Sequence, residues 1–326
     1  MLCIQDHNTD PYFNLAAEEY VLKNFSEDCF MLWRNGPSII VGKHQNTLAE
    51  INLDWVRKND IKVVRRLSGG GAVFHDLGNL NFTFIVSGEE GNLVDFRKFT
   101  KPILEVLQKL DVEAKFEGRN DLTIKGMKFS GNAEHVHKKR TLHHGTLLFS
   151  SVMTDLSQAL KVNPLKFTDK AVKSVRSRVT NISEHLKHPM KVDEFSKRIM
   201  DHIVENYGET RFYEYTPADI RAIEQLRDEK YSQWEWNFGY SPKYMFEKGI
   251  RSNGGYLEFH LNVEHGIITD LKIFGDFFHR YDITTIERAL RGVRHEPEAI
   301  RKRLDDFHLD DYFKNIPQET FVSGMF

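Results

Sequence analysis

Three consecutive glycines, Gly69 to Gly71, stand between two strand-like runs, and neither a packed core nor a helix forms around such a stretch. The segment Arg65 to Asp76 reads RRLSGGGAVFHD. Residues 61–65 before it pattern as a strand, and the element after it alternates as one. A triple glycine lets the backbone approach a ligand closely and turn its N–H groups inward, which suits phosphate or carboxylate oxygens. Arg66 adds a fixed positive fork beside the loop. No Gly-Lys-Ser/Thr follows and no helix opens after the glycines, so this is neither a P-loop nor a dinucleotide fingerprint. The pattern specifies an anion site without specifying the anion.

A chain of 326 residues holds one large domain and a smaller one. Residues 14–25, 53–59, 96–110, 192–207 and 217–232 carry helical spacing, whereas 30–33, 38–41 and 80–86 read as strands. Residues 80–86 alternate as a half-buried strand. From Val112 to Ser150 the pattern is mostly strands joined by tight turns, with Lys138-Lys139-Arg140 as a solvated tip. Residues 239–255, with four glycines and a proline, read as a domain junction. A hairpin around Glu264-His265-Gly266 and two short helices, 286–291 and 297–307, follow. The expected fold class is α+β. Residues 1–245 form a large domain with a mixed β-sheet flanked by helices, and residues 252–326 a small C-terminal α+β domain.

Lysine plus arginine (45) nearly balance aspartate plus glutamate (47), which gives no concentrated positive face for nucleic acid. The two cysteines, Cys3 and Cys29, form no C-x-x-C pair, which argues against a disulfide framework or zinc knuckle. The amino-terminal residues are polar and acidic, and no apolar run reaches membrane-span length; the chain reads as cytoplasmic, with no membrane partner.

Gly118 to Ala133 reads GRNDLTIKGMKFSGNA. Asn120 and Asp121 offer hard oxygen ligands of the kind that suit magnesium on a nucleotide. Lys128 lies between Met127 and Phe129 and points opposite to them. It faces solvent if they face the core, and a reacting centre if the strand lines a cleft. His143-His144, with His135 and His137 nearby, lack the cysteine or well-spaced carboxylate that would complete a metal site. Lys173, Arg176 and Arg178 form a basic loop, able to screen a triphosphate if it belongs to the same site.

In order and spacing these segments resemble the lipoate–protein ligase A family. RRxSGGGAVFHD stands at Arg65 to Asp76, GRND at Gly118 to Asp121, and K-x-SG at Lys128 to Gly131. HHGTLL stands at His143 to Leu148, SVRSRVTN at Ser174 to Asn181, FNLAxEE at Phe13 to Glu19 and GxxQN at Gly42 to Asn46. The likeness runs from Tyr12 to about Gly239, and the tail from Tyr256 resembles the accessory domain of the long bacterial form in length and texture.

The resemblance implies a biotin/lipoate ligase-like scaffold and an ATP-dependent enzyme, with ATP and Mg2+ as cofactors, that activates lipoate as lipoyl-AMP. The lipoyl group then passes to a lysine of a carrier: lipoyl domains of 2-oxoacid dehydrogenase acyltransferase subunits, or the glycine cleavage carrier protein. Octanoate is an alternative acid. By the same resemblance Lys128 is catalytic, its ammonium bridging acyl carbonyl and phosphate. Arg66 would hold phosphate, and Gly69, Gly70, Gly71, Ala72, Val73 and Phe74 would line the nucleotide pocket, with Arg178 closing over the adenylate. Asp121 takes the magnesium position with Asn120 beside it, and Ser68, His75 and His144 rim the acyl pocket. Lys43 replaces an arginine common among relatives, removing any bidentate contact there.

An octanoyl- or lipoyl-transferase on the same scaffold would carry the acyl group on cysteine, yet Cys3 and Cys29 fall outside every matched motif. A non-catalytic binder of lipoate or of lipoyl domains would have lost catalytic groups, and Lys128, Arg66 and Asp121 are all present.

Overall fold

The computed structural model describes residues 1–88, 95–160, 167–170, 173–174 and 178–326, which divide into two compact units. The first comprises Met1–Lys43, Lys58–Leu160 and Ser174–Gln233. Its strands are β1 (Leu2–Gln5), β2 (Cys29–Trp33), β3 (Ser38–Val41), β4 (Lys62–Arg65), β5 (Val73–His75) and β6 (Asn79–Ser87), then β7 (Ala114–Glu117), β8 (Asp121–Ile124), β9 (Met127–His137) and β10 (Arg140–Leu148). Among the described residues the main sheet runs Arg211–Phe212, β1, β2, β6, β10, β9, β8, β7. β1 pairs parallel with β2, and the neighbours from β2 onward are antiparallel, so the sheet is mixed.

The alternation in β6 sorts the two faces of this sheet. Leu80, Phe82 and Phe84 join a core with Phe99, Ile103, Val106 and Leu107 of the helix Phe96–Lys109, and with Phe195, Ile199 and Ile203 of the helix Val192–Asn206. Each such side chain withdrawn from water contributes about 1.5–3 kcal/mol. The intervening Asn79, Asn81 and Thr83 are buried as well, so β6 is covered on both faces and not half-exposed. Helix α1 (Pro11–Asn24) supplies a partner on this polar side, where Thr83 donates to Glu18.

Asp10 accepts from the Tyr12 N–H at the start of α1, beside Pro11 in its first turn. At the other end Arg140 donates to the carbonyls of Val21, Leu22, Phe25 and Glu27. Arg140 is therefore a helix clamp and not part of a solvated tip, since a guanidinium matches clustered orphan carbonyls. Lys138 and Lys139 do form the hairpin loop, with Lys138 at φ 54°.

A second, small sheet has the order β4, β3, β5, with β3 parallel to β4 and antiparallel to β5. The triple-glycine loop crosses between its outer strands.

The second unit comprises His44–Arg57, Lys161–Lys173 and Trp234–Phe326, taken over its described residues. Its antiparallel sheet runs Phe167–Asp169, Tyr244–Ser252, Gly255–Glu264, Ile267–Phe277. Residues expected as a junction are thus mostly strand. Gly249 sits beneath the Tyr256 ring, a Cβ there lying 2.2 Å from its hydroxyl, and Gly254 and Gly255 belong to the hairpin turn. Ala49 and Phe167 enter this unit's core beside Phe246, Phe259, Leu261 and Leu271, which draws two segments of the expected large domain into it. His265 and Gly266, at φ 50° and 72°, make the expected hairpin turn. Among the described residues no helix is long and apolar enough to cross a membrane.

Candidate active site

Arg66 is buried, and its guanidinium is committed to the protein. Nε donates to Ser68 Oγ at 3.0 Å, Nη1 to the Ile40 carbonyl at 3.1 Å, and Nη2 to the carbonyls of Gly69 and Gly71 at 2.6 and 2.8 Å. A fork presented to an anion was the expectation; the structure shows an internal brace instead. Both glycine carbonyls turn inward onto it, so in trans peptides the N–H groups of Gly70 and Ala72 face the opposite way. Ala72 N–H donates to Ser174 Oγ at 2.8 Å. Gly70 sits at φ +89°, where other residues are strained, and a Cβ on Gly42 would lie 2.1 Å from its carbonyl oxygen. Gly71 packs on Ser174, leaving no room for a side chain, while Gly69 is open. Val73 and Phe74 belong to β5 and pair with Ile40 and Ile39. Burial lowers the Arg66 pKa to about 10, with the Glu18 charge opposing, so the group stays charged at neutral pH.

Ser68 and His144 continue inward from this brace. His144 Nε2 lies 2.6 Å from Ser68 Oγ, and His144 Nδ1 lies 3.0 and 3.1 Å from the two oxygens of Glu18. Glu18 also accepts from Thr83 Oγ1, which in turn accepts from Trp33 Nε1. With a carboxylate facing Nδ1, the proton sits there and Nε2 accepts from the Ser68 hydroxyl. His75 takes a hydrogen bond from Asn35 Nδ2 at 3.1 Å, and its Nε2 has no partner among the described residues. Burial, with Arg66 and His144 nearby, lowers the His75 pKa to about 3. Ser68, His75 and His144 are all buried, with Ser68 and His144 in one hydrogen-bonded chain to Glu18 of α1. Glu18 and Ser174 lie within matched motifs, but nothing in the local sequence reveals their distant partners.

Lys128 owes its direction to a bulge. β8 and β9 pair Asp121 with Gly131 and Leu122 with Ser130, but Thr123 with Lys128, so Phe129 is the extra residue. Phe129 and Ser130 are consequently both buried, and Lys128 shares a face with Gly131 and Asp121. Its ammonium meets the Asp121 carboxylate at 2.8 Å, with side-chain exposures of 27% and 32%. A Cβ on Gly131 would lie 3.0 Å from Lys128 Nζ, so the glycine makes room for the lysine. Lys125 and Gly126, at φ 51° and 75°, form the short turn before it.

The backbone pairs this lysine with Arg178 and Thr180. Lys128 N–H donates to the Arg178 carbonyl at 2.8 Å, and Thr180 N–H donates to the Lys128 carbonyl at 3.0 Å. Arg178 is exposed, and Arg176 lies outside the described residues. Asn120 donates its Nδ2 to the Asn132 carbonyl.

Both cysteines are fully buried. Burial raises the Cys3 pKa, and it raises that of Cys29 to about 12 against the opposing influence of Arg140. Among the described residues no three His, Cys, Asp or Glu side chains converge as a metal cluster.

A model of the lipoyl protein ligase A/B catalytic domain matches residues 10–204, and one of the bacterial lipoate protein ligase C-terminus matches residues 241–325. Lipoate–protein ligase 1 of Staphylococcus aureus is 45% identical over 330 residues, covering 100% of both chains. Lipoate-protein ligase LplJ of Bacillus subtilis is 44% identical over 99% of each. The crystal structure of P. falciparum LipL1 in complex with lipoate is similar at TM-score 0.60 and 27% identity, covering 99% of this chain and 97% of that one. A crystal structure of lipoate-protein ligase A bound with ATP is similar at TM-score 0.63 and 26% identity, covering 73% and 98%.

Proposed function

Because the chain belongs to the lipoate–protein ligase family, we propose that it activates lipoate with ATP as lipoyl-AMP and passes the lipoyl group to a carrier lysine. The chain is a lipoate–protein ligase. We assign the chemistry to residues 1–245 and an accessory role to residues 252–326.

The observation that carries this reading is the Lys128 ammonium, which the bulge turns toward Gly131 and Asp121. In adenylation a lipoate oxygen forms a bond to the α-phosphorus of ATP, and the bond to pyrophosphate breaks. Two anions must meet, and a held ammonium offsets their repulsion while stabilising charge that grows in the transition state. In the second half-reaction the acceptor amine attacks the acyl carbonyl, loses a proton, and AMP leaves. Lys128 polarises that carbonyl. The inward carbonyls of Gly69 and Gly71 leave the Gly70 N–H on the loop's other side, suited to a phosphate oxygen. Arg66 acts by shaping this loop. Asp121 is a hard donor beside Lys128 and fits a magnesium ion that arrives with nucleotide phosphates, where the ion would screen their charge. Arg178 would close over the adenylate.

A cysteine-borne transferase needs an accessible thiolate, and the buried, raised thiols of Cys3 and Cys29 weigh against it. We propose as acceptors the lipoyl domains of 2-oxoacid dehydrogenase acyltransferase subunits and the glycine cleavage carrier protein, in the cytoplasm. The test is mass gain on a purified lipoyl domain, comparing lipoate, octanoate and biotin with and without ATP. Gain with lipoate that needs ATP is expected; gain without ATP from an acyl thioester would replace the ligase with a transferase.

A further inference from the structure

Behind the turn that carries Asn120 and Asp121, the core face of β9 and β10 holds a chain of buried polar side chains among phenylalanines. Asn132 is 3% exposed. Its backbone N–H and its Nδ2 both donate to the Asn120 carbonyl at 3.0 Å, and Asn120 Nδ2 donates back to the Asn132 carbonyl at 2.5 Å. A flipped Asn132 amide would set oxygen against oxygen, so this clasp fixes its orientation. The Asn132 Oδ1 then faces His143 Nε2 at 3.3 Å, and His143 Nδ1 meets Glu134 Oε1 at 2.8 Å. His143 and Glu134 are directly paired across the two strands, and the imidazole packs on Phe82, Phe96 and Phe99.

Gly145 stands opposite Asn132 in the same register. A Cβ on it would lie 2.2 Å from Asn132 Oδ1 and 2.4 Å from the Phe82 ring, so the glycine of His143-His144-Gly145-Thr146 makes the seat for this amide. Polar groups placed in a core are costly unless hydrogen-bonded, and an apolar residue opposite a larger partner would fill the same space. What the amide adds is a second hydrogen bond to the Asn120 carbonyl, beside the one from the Asn132 backbone N–H.

We propose that Asn132 is a positioning residue: seated by Gly145 and backed by His143 and Glu134, it holds the Asn120–Asp121 turn where Asp121 meets Lys128. The inference rests on the ligase reading given for Asn120 and Asp121. It assigns Asn132 to the nucleotide side of the reaction and gives it no contact with substrate.

The full-length chain with Asn132→Ala, Asn120→Ala and both substitutions tests it, by steady-state kinetics on a lipoyl domain at fixed magnesium. We expect N132A to raise the KM for ATP roughly 10- to 100-fold, the range for residues that orient ligands from behind, with the KM for lipoate within about twofold. The double variant should lose more than either single one, since each side chain bonds the other residue's backbone and the two bonds hold the same turn. Unchanged ATP KM, equal losses for ATP and lipoate, or a double variant no worse than the single ones would overturn the proposal. Should N132A fail to fold, N132S keeps a donor that stops short of the Asn120 carbonyl and carries the same expectation. A wild-type chain without ATP-dependent transfer would overturn the ligase reading too, whereas an active wild type beside an unaffected N132A overturns this inference by itself.

Discussion

Replacing Gly131 with alanine puts a methyl group where the structure holds the end of Lys128. The built Cβ lies 3.0 Å from Nζ and 3.1 Å from Cε, whereas comfortable contact begins near about 3.5 Å. The lysine end must therefore shift by up to about half an ångström, away from its 2.8 Å pairing with Asp121. A misplacement of about 1 Å can cost about 10²-fold in rate, so a partial shift predicts a kcat lower by about tenfold, or about 1.4 kcal/mol on the barrier. Gly131 has no positive φ, so alanine adopts its backbone without strain and should stabilise the fold by about 0.4–1 kcal/mol through the unfolded chain. Continuous pyrophosphate release at saturating ATP and lipoate, beside urea unfolding, measures both. A slower enzyme that is no less stable is expected. A kcat within twofold of wild type would refute the reasoning, because it would show that the position of the ammonium does not limit the reaction.

Three further outcomes follow from the structure. Arg66→Lys keeps the charge but cannot reach Ser68 and the carbonyls of Ile40, Gly69 and Gly71 together; urea unfolding should show a loss of about 2–3 kcal/mol, and no loss would contradict the bracing role. Native protein should resist iodoacetamide at pH 8, and Cys3→Ser with Cys29→Ser should keep turnover within about twofold, because both thiols are buried with raised pKa values. Burial opposes ionisation of Asp219, but hydrogen bonds from Tyr213, Thr216 and Tyr20 prevail and lower its pKa from 3.8 to about 2. A depressed carboxylate stabilises the fold fully above its unfolded value and loses that contribution as pH falls toward 2. Asp219→Asn should thus be less stable than wild type at pH 6, with the gap closing between pH 4 and pH 2 in thermal melts. A constant gap would contradict the assignment.

The triple-glycine loop was legible because glycine at φ +89° leaves a signature in sequence, and the expected helices and strands of the first unit fall within a few residues of those observed. Direction was harder to read. A sequence displays the charge of Arg66 but not the carbonyls it faces, so a brace read as an anion fork. The facing of Lys128 stayed open because Phe129 breaks the alternation, and a bulge is a property of two strands at once. Arg140 read as solvated since its acceptors end a helix more than a hundred residues away. The glycines of residues 239–255 read as a junction, although they serve close packing and a hairpin turn. Glu18, Ser174 and Asn132 act through distant partners, and no local pattern separates them from other buried polar residues.

Lipoate-dependent exchange of pyrophosphate into ATP reports adenylation before any acceptor domain is involved, and Lys128→Ala is the variant to measure. Exchange should fall by at least about 10²- to 10³-fold, the loss seen when a preorganised transition-state donor is removed, while the fold and ATP binding persist. Wild-type exchange from that variant would mean that the ammonium beside Asp121 and Gly131 is not where the acid and the nucleotide react.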